Sequence, residues 1–282
     1  MVQGSATNLG SPSFSPSINL KKGLKFIKGS VNIGHVQINF DFRECEDDYG
    51  IQQDRLNREF TVNSVFMWIE NNQLKFDMDP QTYDDLQSMT LRLVNQFDKT
   101  FVRDPRRLLR LVRFSVEKEL RIEDNLLTEV KLRGYKLLKS KFSAFQKELL
   151  VKRYFASSNE RDWIGACIQL VQLQLLGSIS EFSDGCSQVN IIQTKNELTK
   201  FSKAESSFIS QLGMENSAYS VPLRSLLRMS YFLLATCHHF KDAIGVNPVD
   251  FSTGLILKMI KPEAGKAFEI KAIVQRLKDR FF

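Results

Sequence analysis

Five arginines fall within eleven positions, Arg103, Arg106, Arg107, Arg110 and Arg113, and only Asp104 offsets them there. Guanidinium groups present fixed forks of donors that suit phosphate oxygens, so a cluster of this kind points to RNA. At helical spacing the five cannot all enter a core, and several must face solvent, a partner or a nucleic acid. A purely structural role competes: Arg110 and Arg113 could pair with Glu117 and acids of neighbouring helices, each exposed pair contributing about 0–1 kcal/mol. Other chemistry-bearing residues are sparser. Asp77 and Asp79 have the spacing of a metal-holding carboxylate pair and lead from a short apolar strand into a polar loop with Pro80. Glu44, Glu46, Asp47 and Asp48 precede Gly50 without apolar periodicity and read as a solvated loop. Cys237, His238 and His239 have no second ligand group in sequence reach, so a helix-end thiol and two imidazoles are expected there rather than a metal site.

The elements that must position these groups are legible from pattern. Val31 and Ile33, then Val36, Ile38, Phe40 and Phe42, alternate about Gly34-His35, which predicts a hairpin with Gln37, Asn39, Asp41 and Arg43 on its polar face. A helix is expected over about 54–70, a strand over 74–76, and a helical turn over 83–87. Asp104-Pro105 is a helix start, because Asp can cap free amides and Pro suits the first helical position. Leu108, Leu111, Val112, Ser115 and Val116 then form one apolar stripe. Further helices are expected near 124–133, 142–156, 161–176, 193–212, 221–237, 249–260 and 265–280, separated by breakers such as Gly213 and Gly245 to Pro248.

The chain has 282 residues, 43% of them hydrophobic, enough for two compact units. A net charge of +7 and an isoelectric point near 9.2 favour an anionic partner. Gln169, Gln172 and Gln174 interrupt the longest uncharged stretch, so no membrane segment is expected. Four scattered cysteines indicate neither a disulfide framework nor a zinc ribbon, and a reducing compartment follows, cytoplasm or mitochondrial matrix. Residues 1–22 read as a flexible tail rich in Ser, Gly, Asn and Pro.

Two segments in fixed order carry a family resemblance. Asn57-Arg58-Glu59-Phe60-Thr61-Val62-Asn63-Ser64 resembles the RRDFTINA element of class II tRNA nucleotidyltransferases and bacterial-type poly(A) polymerases. Arg103-Asp104-Pro105-Arg106-Arg107-Leu108-Leu109-Arg110-Leu111-Val112-Arg113-Phe114 resembles their EDxLRxLRAxRF element, with Asp85-Leu86 between the two. The resemblance runs from about Gly23 to Gly177. It implies an α+β fold, with a truncated nucleotidyltransferase-like head of a short hairpin and helices (23–102), a helical neck and early body (103–180) and an all-α remainder (181–282). It further implies nucleotide contacts from Arg58 and Asn63 to phosphate or ribose, and from Asp104 and Arg107 to a base edge. Arg103, Arg106, Arg110 and Arg113 are then the RNA-binding set. Asn63 as a local cap, Arg58 paired with Glu59 or Asp54, and Asp104 as a plain N-cap are the competing structural roles.

The departures bear on function. Arg103 stands where the family has Glu, and Asn57 where it has Arg. The family's GGxVRD turn and DxD strand precede the hairpin, and the DxD carboxylates hold two magnesium ions. Residues 1–22 contain no Asp or Glu, leaving Asp41 as a remnant ligand. The first expectation is therefore a non-catalytic RNA-binding or ribonucleoprotein-assembly protein, needing no cofactor alone, bound to a tRNA, rRNA or mRNA 3′ end and to a protein partner covering the head. Two alternatives stand beside it. One is part of an active polymerase using Mg2+ and ATP or CTP, whose metal site comes from another chain or segment. The other is a protein-interaction scaffold in an organellar ribonucleoprotein such as a mitochondrial ribosome.

Overall fold

A computed structural model describes residues 13–21, 24–33, 36–43, 48–141, 154–155, 159–176, 189–213, 223–238, 247–259 and 266–282. The chain divides into two compact units, residues 1–57 and 58–282. The break thus falls after Asn57, and residues 58–102 share a unit with the helices that follow.

In the first unit, strands β1 (Ser13–Lys21), β2 (Leu24–Ile33) and β3 (Val36–Arg43) form an antiparallel meander in the order β1-β2-β3. The expected hairpin is present, with Ile33 opposite Val36 and Val31 opposite Ile38. Residues 13–21 are not a flexible tail but a strand, with Ser13 opposite Asn32 and Lys21 opposite Leu24. The physical reason is that β2 has an edge whose backbone groups need partners, and the segment one short turn away supplies them. Asp41 takes the register position opposite Lys28. Helix α1 (Asp48–Asn57) closes the unit.

The expected helix over 54–70 is instead the end of α1, a single 3-10 turn at Thr61–Asn63, and strand β4 (Phe66–Glu70). β4 pairs antiparallel with β5 (Gln73–Asp77), Glu70 facing Gln73 across Asn71-Asn72. Those two asparagines have φ of 50° and 61°, the mirror-image turn that matches strand twist and that Asn tolerates. The unbroken apolar run from Val65 to Ile69 belongs to a hairpin strand, and the Asn-Asn pair was the overlooked signal.

Helix α2 (Pro80–Gln87) starts on Asp79, whose carboxylate accepts from the Thr82 amide at 2.9 Å. Strand β6 (Thr90–Leu91) pairs in parallel with β7 (Arg121–Ile122), and between them lie a π-type turn (Asp98–Val102) and helix α3 (Arg106–Glu117). Helix α4 (Asp124–Glu129) runs through a second π-type turn (Val130–Gly134) into α5 (Tyr135–Lys141). The body follows as α6 (Glu160–Gln172), α7 (Ile191–Leu212), α8 (Leu223–His238), α9 (Pro248–Met259) and α10 (Lys266–Phe281). Most of the expected 142–156 helix lies outside the described residues. Gly213 ends α7 at φ 61°, as its place in the sequence suggested.

Leu108, Leu111 and Val112 of α3 are fully buried, so the stripe read from sequence faces the core. α3 approaches α6 closely at Gly165, where a Cβ would sit 2.7 Å from Val116 Cγ1. In the body, Phe201 stacks on Tyr231 at 4.3 Å and Phe281 meets Tyr231 edge-on at 5.2 Å, joining α7, α8 and α10. Buried Arg228 of α8 forms a bidentate pair with buried Glu205 of α7, at 2.6 and 2.9 Å, and donates to the Phe155 carbonyl at 3.0 Å. No helix among the described residues is long and apolar enough to cross a membrane.

Candidate nucleic-acid interface

The segment 58–64 is strapped to the strand after α2. Phe60 bridges to Leu93, the Thr61 amide donates to the Arg92 carbonyl at 3.0 Å, and the Val94 amide donates to the Glu59 carbonyl at 3.2 Å. Beneath this strap lies Asp85, 1% exposed. It accepts from Thr61 Oγ1 at 2.8 Å, from Gln81 Nε2 at 3.1 Å and from Arg92 Nε at 3.2 Å to either oxygen. Arg92 also meets Glu123 at 3.4 Å. Ser64 Oγ donates to the Thr61 carbonyl at 2.7 Å and lies 3.1 Å from Thr82 Oγ1. A buried carboxylate needs such charge-assisted partners, and here they lock the turn onto α2.

The two predicted nucleotide residues on this turn have distinct settings. Asn63 Oδ1 accepts from the Phe60 amide at 3.3 Å, which is the local capping role weighed against a ribose contact. Arg58 is exposed, its guanidinium 6.0 Å from the Phe66 ring centroid. Glu59 does not serve it: the Glu59 carboxylate accepts instead from Arg110 of α3.

That ion pair joins the two motif segments, 51 residues apart in the chain. Beside it Phe60 packs on Phe114 at 5.6 Å, and the Arg110 and Arg113 guanidinium groups sit 5.5 and 5.4 Å from the Phe114 centroid. Arg113 also approaches Glu117 at 3.6 Å. Arg110 and Arg113, assigned to RNA binding from sequence, are thus engaged within the protein. Their spacing of three residues wraps them round α3 toward the turn instead of along one outward face.

At the start of α3, Asp104 caps as its sequence suggested, accepting from the Arg106 amide at 3.1 Å. The same carboxylate is gripped by the Arg106 guanidinium, Nε to Oδ1 and Nη2 to Oδ2, both at 2.7 Å. This contact holds the Asp104 carboxyl below the usual carboxylate range, with weaker help from the nearby Arg107 charge. Arg103 and Arg106 are exposed and Arg107 is half-buried. Sequence reasoning named Asp85 without its buried role, and missed Glu59 as the partner of Arg110 and Arg106 as the partner of Asp104.

A two-magnesium centre needs clustered oxygen ligands. Among the described residues no group of three Asp, Glu, His or Cys could hold a metal. Asp79 Oδ1 caps α2, and Asp77 and Asp79 gather no third ligand among the described residues. The side chains of Asp41, of residues 44–48 and of Cys237 to His239 lie outside the described residues.

No protein-family model matches the chain. Among solved structures it is similar to a Thermotoga maritima CCA-adding enzyme complexed with tRNA, with a TM-score of 0.53 and 14% identity over 93% of this chain and 68% of that one. It is also similar to a tRNA nucleotidyltransferase complexed with a primer tRNA and an incoming ATP analogue, with a TM-score of 0.52 and 14% identity over 89% of this chain and 81% of that one. The fold is therefore that of the tRNA nucleotidyltransferases, as the two motifs implied. Within that class the sequence is similar to the mitochondrial CCA tRNA nucleotidyltransferase of Candida glabrata, 32% identical over 101 residues. That match spans 36% of this chain and 19% of the yeast protein.

Proposed function

We propose that this chain is an RNA-binding, tRNA nucleotidyltransferase-like protein that holds an RNA 3′ end and a nucleotide, and that these 282 residues transfer no nucleotide by themselves. The observation carrying the reading is the junction of the two motif segments through Glu59–Arg110 and Phe60–Phe114. A junction of this kind fixes a turn bearing Arg58 and Asn63 against a helix bearing Asp104 and Arg107. Arg58 then serves phosphate oxygens, Asn63 the ribose, and Asp104 with Arg107 the edge of a base. Exposed Arg103, and Arg106 once released from Asp104, serve RNA phosphates, replacing the larger arginine set expected from sequence. Both solved structures named above contain tRNA, which supports RNA as the partner.

Nucleotidyl transfer calls for two magnesium ions that stabilise the attacking and leaving oxygens. The carboxylates for them would come from a protein partner or a further segment, because the acids beside the described site are committed: Asp85 to Arg92, Glu59 to Arg110, Asp79 to its helix cap. The test is a magnesium-dependent primer-extension assay with tRNA and oligo(A), paired with a gel-shift assay on the same RNAs. Binding without extension is expected. ATP or CTP incorporation that tracks with the pure chain through successive columns would overturn the non-catalytic part, and absence of RNA binding would overturn the rest.

A further inference from the structure

We propose that Arg106 is a latch on Asp104: it occupies the carboxylate that would otherwise accept from the amino group of a cytosine or adenine, and so sets how tightly this site takes a nucleotide. The inference rests on the reading of Asp104 as a base-edge acceptor. Both oxygens of Asp104 are engaged by one residue. Oδ1 accepts from the Arg106 amide at 3.1 Å and from its Nε at 2.7 Å, while Oδ2 accepts from Nη2 at 2.7 Å. Asp104 is also the one carboxylate with which Arg106 pairs among the described residues, and the first turn of α3 carries no acid to compete for it.

The grip is strong in geometry and weak in free energy. A bidentate guanidinium–carboxylate fork is well matched, yet the Arg106 side chain is 61% exposed, so water and salt screen the pair. Arg106 can therefore swing out while its backbone amide stays on Oδ1, leaving α3 capped and Oδ2 vacant. Oδ2 is then the acceptor for an exocyclic amine, and the released guanidinium is at liberty to meet a phosphate. The EDxLRxLRAxRF element has leucine at the position of Arg106, a side chain unable to close such a latch. The arginine here adds a competing intramolecular ligand beside an otherwise family-like Asp and Arg.

The test measures CTP, ATP and UTP binding by isothermal titration to the parent chain, to Arg106→Leu, to Asp104→Asn and to the double variant, at low and high salt. Circular dichroism checks that each variant is folded. Arg106→Leu is expected to bind CTP and ATP up to about fivefold more tightly, the ceiling for releasing an exposed ion pair. The gain should shrink at high salt, vanish in the double variant and be absent for UTP, which lacks the amino donor. Unchanged or weaker CTP and ATP binding by Arg106→Leu, with Asp104→Asn still weakening it, overturns the latch and leaves the base-edge reading standing. Affinity that ignores Asp104→Asn in both backgrounds, or no nucleotide binding by any form, overturns that reading and the latch with it.

Discussion

Replacing Arg110 by alanine separates a structural arginine from an RNA-binding one. The Glu59 side chain is 8% exposed and that of Arg110 is 40% exposed, so the substitution leaves a buried carboxylate without its charged donor. Breaking a fully buried pair costs about 3–5 kcal/mol, and solvent around Arg110 discounts this to about 1–3 kcal/mol. Loss of the guanidinium from the Phe114 face, now at 5.5 Å, adds about 0.5 kcal/mol. Urea unfolding followed by circular dichroism should show a lower midpoint with an unchanged slope. Glu59→Gln should cost less, since the amide keeps an acceptor, and a double-mutant cycle over the two positions should return a coupling of about 1–2 kcal/mol. In RNA binding across a salt series, Arg110→Ala should leave the log–log slope within about half a unit of the parent, whereas Arg103→Ala should flatten it by about one unit. An Arg110→Ala protein within about 0.5 kcal/mol of the parent, whose salt slope drops by a full unit, would refute the reasoning and return Arg110 to the RNA.

Two further outcomes follow from the body. Arg228→Met should destabilise the chain by about 3–5 kcal/mol in urea, because Glu205 is left buried with only the half-exposed Arg224 at 3.3 Å, and adding Glu205→Leu should restore most of that loss. Cys167 is fully enclosed, and burial pushes its thiol well above the ordinary range, so it stays protonated at pH 8; peptide mass spectrometry should find it unalkylated in the native chain and alkylated in urea.

Local sequence determined a good deal of this molecule. Asp104-Pro105 announced α3, Gly213 ended α7, Leu108, Leu111 and Val112 marked the face that is buried, and the alternation over 31–42 marked a hairpin. Each is a short-range signal: a cap, a left-handed glycine or a side-chain period needs only its neighbours to act. The two family motifs were legible for the same reason, being continuous strings of residues.

Tertiary structure alone decided what those strings do to one another. Residues 60–64 carried groups that suit helix or strand, and the bridge from Phe60 to Leu93 settled them as a strap. Asp85 stood in the sequence only as a landmark between the two motifs, and the fold closed Thr61 and Arg92 over it. The arginine-rich helix offered Glu117 and unnamed acids of neighbouring helices as partners; Arg113 took Glu117, while Arg110 turned to Glu59, 51 residues away. A charge does not specify its partner. The pairing goes to whichever opposite charge packing brings within about 4 Å, where burial removes the competing water, and that choice belongs to the folded chain as a whole.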